Sequence, residues 1–235
     1  MSVSFITHRP LVIAHRGDSA YYPDNTAQAF RSAFDKGADW VELDVRRTAD
    51  GVLVVNHDAH LADRRLVREV SSTDLPQNVP TLAEALEACE GMGVNIEIKH
   101  LPGDPDHGDL ELVCAAVAGL AMAYREPEHI LLSSFDINAV DMIHAAEGRL
   151  PTGWIVAERQ AMELTLDRAV AHDHDTICLW DGLVDETFVL GAQSRDLRVM
   201  VWTVDSPDRV TELASWGVDG IISNDPGLVR DVLDR

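Results

Sequence analysis

The chain has 235 residues, of which 46% are hydrophobic, and carries 19 Lys and Arg against 40 Asp and Glu, a formal net charge of −21. That length suits one large domain or two small ones. The acidity argues against nucleic acid or anionic lipid as partners, while a small anionic substrate still fits a locally cationic site.

No apolar run approaches the ~20 residues of a membrane span, and the start of the chain, with only Leu11–Ala14 as an apolar run, lacks a signal-peptide core. Cys89, Cys114 and Cys178 lie in apolar settings and read as buried free thiols of a reducing compartment, so a cytoplasmic location is expected.

In chain order, Leu11 to Ala14 is a short buried strand that exits into His15-Arg16-Gly17. Asn25 stands where it would cap a helix over Thr26 to Lys36, with Gln28 three residues on, and Gly37 stops that helix. Trp40 to Arg46 is a strand in which Glu42 and Asp44 alternate with Val41, Leu43 and Val45. Asp50-Gly51 turns into a hairpin strand, Val52 to Val55, that leads to His57-Asp58. Residues 59–80 are charged and weakly periodic, an excursion rather than an element. Thr81 and Glu84 form a capping box for the next helix, closed by Gly91 and Gly93.

Val94 to Lys99 repeats the apolar-acidic alternation of the earlier strand. Helices are then expected over 110–124, 137–147, 162–171, 186–195, from Pro207 after Ser206, and from Pro226 after Asp225. Strands are expected over 129–135, 150–156, 176–180, 198–204 and 218–223. About eight strands alternate with about eight helices, which predicts a closed (β/α)8 TIM barrel of parallel strands spanning residues 1–235 as a single domain, with a short insertion after the second strand region. The runner-up, a doubly wound open sheet, would show a Gly-rich phosphate turn after its first strand, where Gly17 stands alone.

Chemistry in such a barrel sits at the carboxyl ends of the strands. Residues two apart in a strand share a face, so Glu42 pairs with Asp44, and Glu97 with Lys99. Charged side chains between apolar neighbours demand partners. Gathered at one mouth, Glu42, Asp44 and Glu97 would bind one divalent ion, Mg²⁺ or Ca²⁺ (or Mn²⁺) rather than Zn²⁺, because no Cys takes part. Arg16 and Lys99 would offer positive charge to a phosphate, and His15 and His57 would titrate near neutral pH. Each has a plainer reading: a structural histidine, a lysine snorkelling to water, or, for Trp202 late in the seventh barrel strand, simple core.

The ordered set His15-Arg16-Gly17, Pro23-Asp24-Asn25-Thr26, Glu42-Leu43-Asp44, His57-Asp58, Glu97-Ile98-Lys99, Ser134-Phe135-Asp136, Val201 to Val204 and Gly217 to Ile222 resembles the glycerophosphodiester phosphodiesterase family. The resemblance implies a metal-dependent barrel that cleaves glycerophosphodiesters to sn-glycerol 3-phosphate and an alcohol. It implies Glu42, Asp44 and Glu97 as metal ligands and His15 and His57 as the acid/base pair. Arg16 and Lys99 would hold the phosphate, and Trp202 would pack on the glycerol carbons. The chain departs from the pattern at Asp24, where the family has Glu, in the shortened 59–80 segment, which implies a more open mouth, and at Asn224.

Rival readings are a lysophospholipase D-like or sphingomyelinase D-like enzyme on the same scaffold and a phosphate-ester-binding barrel without turnover. A further rival is an all-α phosphohydrolase built on His172-Asp173-His174-Asp175 with His57-Asp58. The cluster His100, Asp104, Asp106 and His107 offers a second metal position, with a solvated loop as its alternative.

Overall fold

The computed structural model describes residues 9–101, 103–105, 110–158 and 162–235. The readings made on residues 1–8 and on Asp106 and His107 lie outside them. Eight parallel strands close into a barrel: β1 (Leu11–His15), β2 (Trp40–Arg47), β4 (Gly93–Ile98), β5 (Ile130–Ser134), β6 (Thr152–Val156), β7 (Thr176–Trp180), β8 (Arg198–Trp202) and β9 (Gly220–Ser223). β1 pairs with both β2 and β9, which closes the ring. A ninth strand, β3 (Leu53–Val55), runs antiparallel to β2 as the hairpin after Asp50-Gly51.

The strands alternate with α1 (Ala27–Asp35), α2 (Leu82–Ala88), α3 (Leu110–Tyr124), α4 (Ile137–Ala146), α5 (Met162–Ala171), α6 (Glu186–Gln193), α7 (Pro207–Trp216) and α8 (Pro226–Leu233). These strands and helices rule out the all-α phosphohydrolase reading.

The period-2 alternation decides which residues enter the barrel. Val41, Leu43 and Val45 of β2 point outward and pack with Phe30, Leu82 and Leu86 of the flanking helices. The barrel interior is filled by Ile13, Leu131, Ile155, Cys178, Met200 and Ile222. Burying such side chains contributes roughly 1.5–3 kcal/mol each. At the floor, Trp40 of β2 stands opposite Gly93 of β4, and a Cβ on Gly93 would meet the indole at 2.2 Å, so only glycine fits.

Local expectations hold unevenly. Thr81 and Glu84 form the capping box, with both reciprocal bonds present. Asn25 does not cap α1; Thr26 does, its hydroxyl accepting from the Ala29 N–H at 3.2 Å. Asn25 is instead buried and drawn toward β2. Ser206 occupies the cap position of α7 without a side-chain bond.

The 59–80 excursion is more ordered than its polarity suggests. It holds two short 3-10 turns, and Leu61, Val67 and Val70 pack on Val54. Asp50 pins it by accepting from the Ser72 N–H (2.9 Å) and hydroxyl (2.7 Å). All three cysteines are free and buried, and burial pushes each thiol up to about 12, which makes them unreactive. No helix among the described residues is long and apolar enough to cross a membrane.

Candidate active site

The site begins with the turn that leaves β1. Arg16 and Gly17 both take positive φ, 57° and 87°. Gly17 is the residue that makes this turn possible, since a Cβ on it would lie 2.7 Å from Ala29. The turn aims the Arg16 side chain back over the mouth. Its Nε lies 3.2 Å from Asp44 Oδ2, and its Nη1 reaches Asp24 at 3.3 Å. The shorter Asp24 therefore still contacts the arginine.

Asn25, also at positive φ (57°), donates from Nδ2 to Asp44 Oδ2 at 2.8 Å and accepts the Asp44 N–H at 3.3 Å. Asparagine tolerates that conformation better than most residues. Its role is to orient Asp44.

Glu42, Asp44 and Glu97 are buried, and each offers a carboxylate oxygen within 4.8 Å of the other two. Burial raises Glu42 well above the ordinary carboxylate range, and repulsion from Asp44 and Glu97 adds to it. Burial pushes Glu97 up to about 7 despite the Lys99 ammonium 2.6 Å away. Burial pushes Asp44 up as well, but Lys99 and Arg16 outweigh it and hold this carboxyl below its usual value. Asp44 Oδ1 and Glu97 Oε1 make no hydrogen bond of good geometry and have only the Lys99 ammonium close by among the described residues.

Two cations thus face three largely buried acids, and the acids stay partly uncompensated. Buried oxygen donors of that kind fit a hard divalent cation.

His15 and His57 open onto the same cavity as Arg16, Glu42, Glu97, Lys99 and Trp202. Asp44 sits below them. Burial lowers both imidazoles, so both favour the neutral form. Their partners differ. The Asn224 amide donates from Nδ2 to Asp205 Oδ2 at 2.7 Å, which turns its Oδ1 toward His15 Nδ1 at 2.7 Å. An amide oxygen can only accept, so His15 carries its proton on Nδ1 and presents a bare Nε2, 4.0 Å from Glu42. His57 Nδ1 lies 2.7 Å from the Asp58 carboxylate, which orients the ring and partly opposes the lowering by burial. The buried Arg46 of β2 holds the His57 loop by donating to its carbonyl at 2.9 and 2.8 Å.

The far wall is apolar: Phe135, Ile155, Cys178, Trp202 and Ile222. Trp202 donates from its indole to the Cys178 carbonyl at 3.0 Å and meets Phe135 edge-on at 5.6 Å.

The structure brings all eight residues singled out in the sequence to this one mouth. It adds Asn25, Arg46, Asp205 and Asn224, none of which the sequence marked for this role. Asn25 and Asn224 stood inside or beside recognised motifs, and that was the available signal. Of the His100 cluster, the two described members have other partners: His100 Nδ1 bonds Asp136 at 2.8 Å and Asp104 pairs with Arg46 at 3.1 Å.

Residues 15–228 match the glycerophosphoryl diester phosphodiesterase family. The chain is 32% identical to a probable glycerophosphodiester phosphodiesterase of Mycobacterium tuberculosis over 99% of its own length and 94% of the relative's. It is 30% identical to the glycerophosphodiester phosphodiesterase of Caldanaerobacter subterraneus over 93% and 95%. Its fold superposes with a TM-score of 0.87 on an Oleispira antarctica phosphodiesterase in complex with the product sn-glycerol-3-phosphate, at 25% identity and covering 97% and 98% of the two chains. On this evidence the chain belongs to the glycerophosphoryl diester phosphodiesterase family.

Proposed function

We propose that this enzyme hydrolyses glycerophosphodiesters to sn-glycerol 3-phosphate and an alcohol, with His15 and His57 as proton-transfer groups and a divalent cation held by Glu42, Asp44 and Glu97. One observation carries the reading: three crowded carboxylates, two cations and two differently backed imidazoles converge on one cavity whose opposite wall is apolar. A phosphodiesterase of the same fold held with sn-glycerol-3-phosphate supports the substrate class.

When bound, a hard cation such as Mg²⁺, Ca²⁺ or Mn²⁺ supplies Lewis-acid polarisation of a nonbridging phosphate oxygen. The remaining work falls to the side chains. Arg16 and Lys99 stabilise charge that builds on the phosphoryl oxygens. His15, held in one tautomer by Asn224, takes the proton of the nucleophile at Nε2, either water attacking directly or the neighbouring glycerol hydroxyl, whose cyclic phosphate water then opens. His57, backed by Asp58, gives a proton to the leaving alkoxide from Nε2. Trp202 and Phe135 cover the glycerol carbons.

A panel of glycerophosphodiesters assayed for released sn-glycerol 3-phosphate with Mg²⁺, Ca²⁺ and Mn²⁺ tests this. Turnover of glycerophosphocholine well above that of lysophosphatidylcholine is expected. The reverse preference would transfer the chain to a lysophospholipase D-like role, and binding without turnover would leave a phosphate-ester-binding barrel.

A further inference from the structure

The opposite end of the barrel holds a second cluster that the phosphodiesterase reading does not use. Asp141 and His144 lie three residues apart on α4, on one face. The α5–β7 loop brings His172, Asp173 and His174 against them, with Asp173 at a positive φ of 59°. The two imidazoles of the loop stack at 5.8 Å with planes 25° apart. His172 Nδ1 lies 2.8 and 2.9 Å from the two Asp141 oxygens, and His174 Nε2 lies 3.1 Å from Asp141 Oδ1. The outer pair, His144 and Asp173, meets at 3.4 Å.

His174 is the informative member. Its side chain has 0% exposure, and its Nε2 makes no hydrogen bond of good geometry. Its other nitrogen, Nδ1, sits 3.2 Å from the Thr152 hydroxyl. Nε2 is therefore a fully buried nitrogen turned toward Asp141 that no group among the described residues satisfies with good geometry. A cation held between this imidazole and the carboxylate would satisfy it.

The donor set is two imidazoles and one carboxylate, each offering an atom within 4.8 Å of the others. Ligands bound tetrahedrally to Zn²⁺ at ~2.0–2.1 Å stand roughly 3.3 Å apart, a little more than the 2.8–3.1 Å that separate Asp141 from the two imidazole nitrogens. Imidazole donors suit a borderline transition metal, unlike the all-oxygen set at the mouth. Asp141 and His172 are 35% and 34% exposed, so the ion has an entry path and a free position for water.

We infer that Asp141, His172 and His174 form a second metal site, specific for a Zn²⁺-type transition ion, which ties α4 to the α5–β7 loop, with Thr152 holding the other nitrogen of His174.

Chelator-stripped protein without a histidine tag, held in saturating Mg²⁺, should bind one equivalent of Zn²⁺ by calorimetry. Glu97→Gln should retain that equivalent, because the mouth is not the site. His172→Ala and Asp141→Asn should each weaken it at least ~10-fold. Zn²⁺ should raise the thermal midpoint of the parent and Glu97→Gln but not of those two variants. Circular dichroism in EDTA checks their fold, and Asp141→Asn, which keeps the side-chain shape, decides if His172→Ala does not fold. No Zn²⁺ uptake by the parent in Mg²⁺, or equal affinity in the parent and Asp141→Asn, would overturn the proposal.

Discussion

Acidic residues occupy both ends of this barrel, and the two ends hold them in opposite ways. At the floor, Asp39, Asp175 and Asp219 each stand just before a strand and accept a backbone N–H from its neighbour: Val12 (2.8 Å), Thr152 (3.1 Å) and Val199 (2.8 Å). Each floor carboxylate ends a ladder that would otherwise leave a buried donor unmet. At the mouth, Glu42, Asp44 and Glu97 point at one another, and Asp44 Oδ1 and Glu97 Oε1 lack hydrogen-bond donors of good geometry. The same residue type is thus structural where the backbone satisfies it and chemically poised where it does not.

The largest effect that separates the two ends is the response to chelation. Excess EDTA should abolish turnover, and added Mg²⁺, Ca²⁺ or Mn²⁺ should restore it, while the fold seen by circular dichroism persists. Full activity in EDTA would reduce the mouth acids to structural ones. Next in size, His15→Ala and His57→Ala should each lower kcat by ~10²–10⁴-fold with the fold unchanged. Near-parental kcat in either would remove that imidazole from proton transfer.

A smaller loss, about 10–100-fold in kcat with little change in KM, is expected for Asn224→Ala. That variant keeps His15 but frees its tautomer. If Asn224 serves only to pack the loop, thermal stability should fall while kcat holds.

The sequence made some of this legible and hid the rest for a physical reason. Period-2 alternation placed Glu42 with Asp44 and Glu97 with Lys99, because a strand enforces that geometry locally. The eightfold alternation likewise carried the barrel. Asn224 binds a residue 209 positions away, and Asn25 one 19 positions away, so neither contact has a local period. Asn25 also stood beside a better cap in Thr26, and local capping logic took the wrong neighbour. The floor device did leave a trace, since Gly37-Ala38-Asp39 and Gly217-Val218-Asp219 repeat the same helix stop and acid before a strand. His174 beside Asp141 required the α5–β7 loop to meet α4, which no spacing within the loop reveals.

The mouth's electrostatics give a prediction that sharpens the contrast without mutation. Burial lifts Glu97 to about 7, so in the metal-free protein it holds a proton below that pH. A proton on a ligand competes with the cation. Glu42, which burial and its acidic neighbours also raise, adds to that competition, so the affinity of the mouth for Mg²⁺ should fall at least roughly 10-fold per pH unit as pH drops below about 7. Calorimetry in buffers of different ionisation heat would register the released proton, and affinity flat from pH 6 to 8 would contradict the raised carboxyl.

The least effect on turnover belongs to the floor. Asp219→Ala leaves the Val199 N–H without its acceptor and should lower stability by about 1–3 kcal/mol, as loss of a partner to a buried donor does. Asp219→Asn keeps an oxygen in place and removes a carboxyl that burial already pushes toward its neutral form, so it should cost much less. Both should turn over substrate at the parental rate below their melting transitions, because no part of this side chain reaches the mouth. Denaturant unfolding beside a kcat measurement separates the two properties. A turnover loss in Asp219→Asn with stability intact would mean that the two ends of the barrel are coupled, and that floor acids do more than end the ladders.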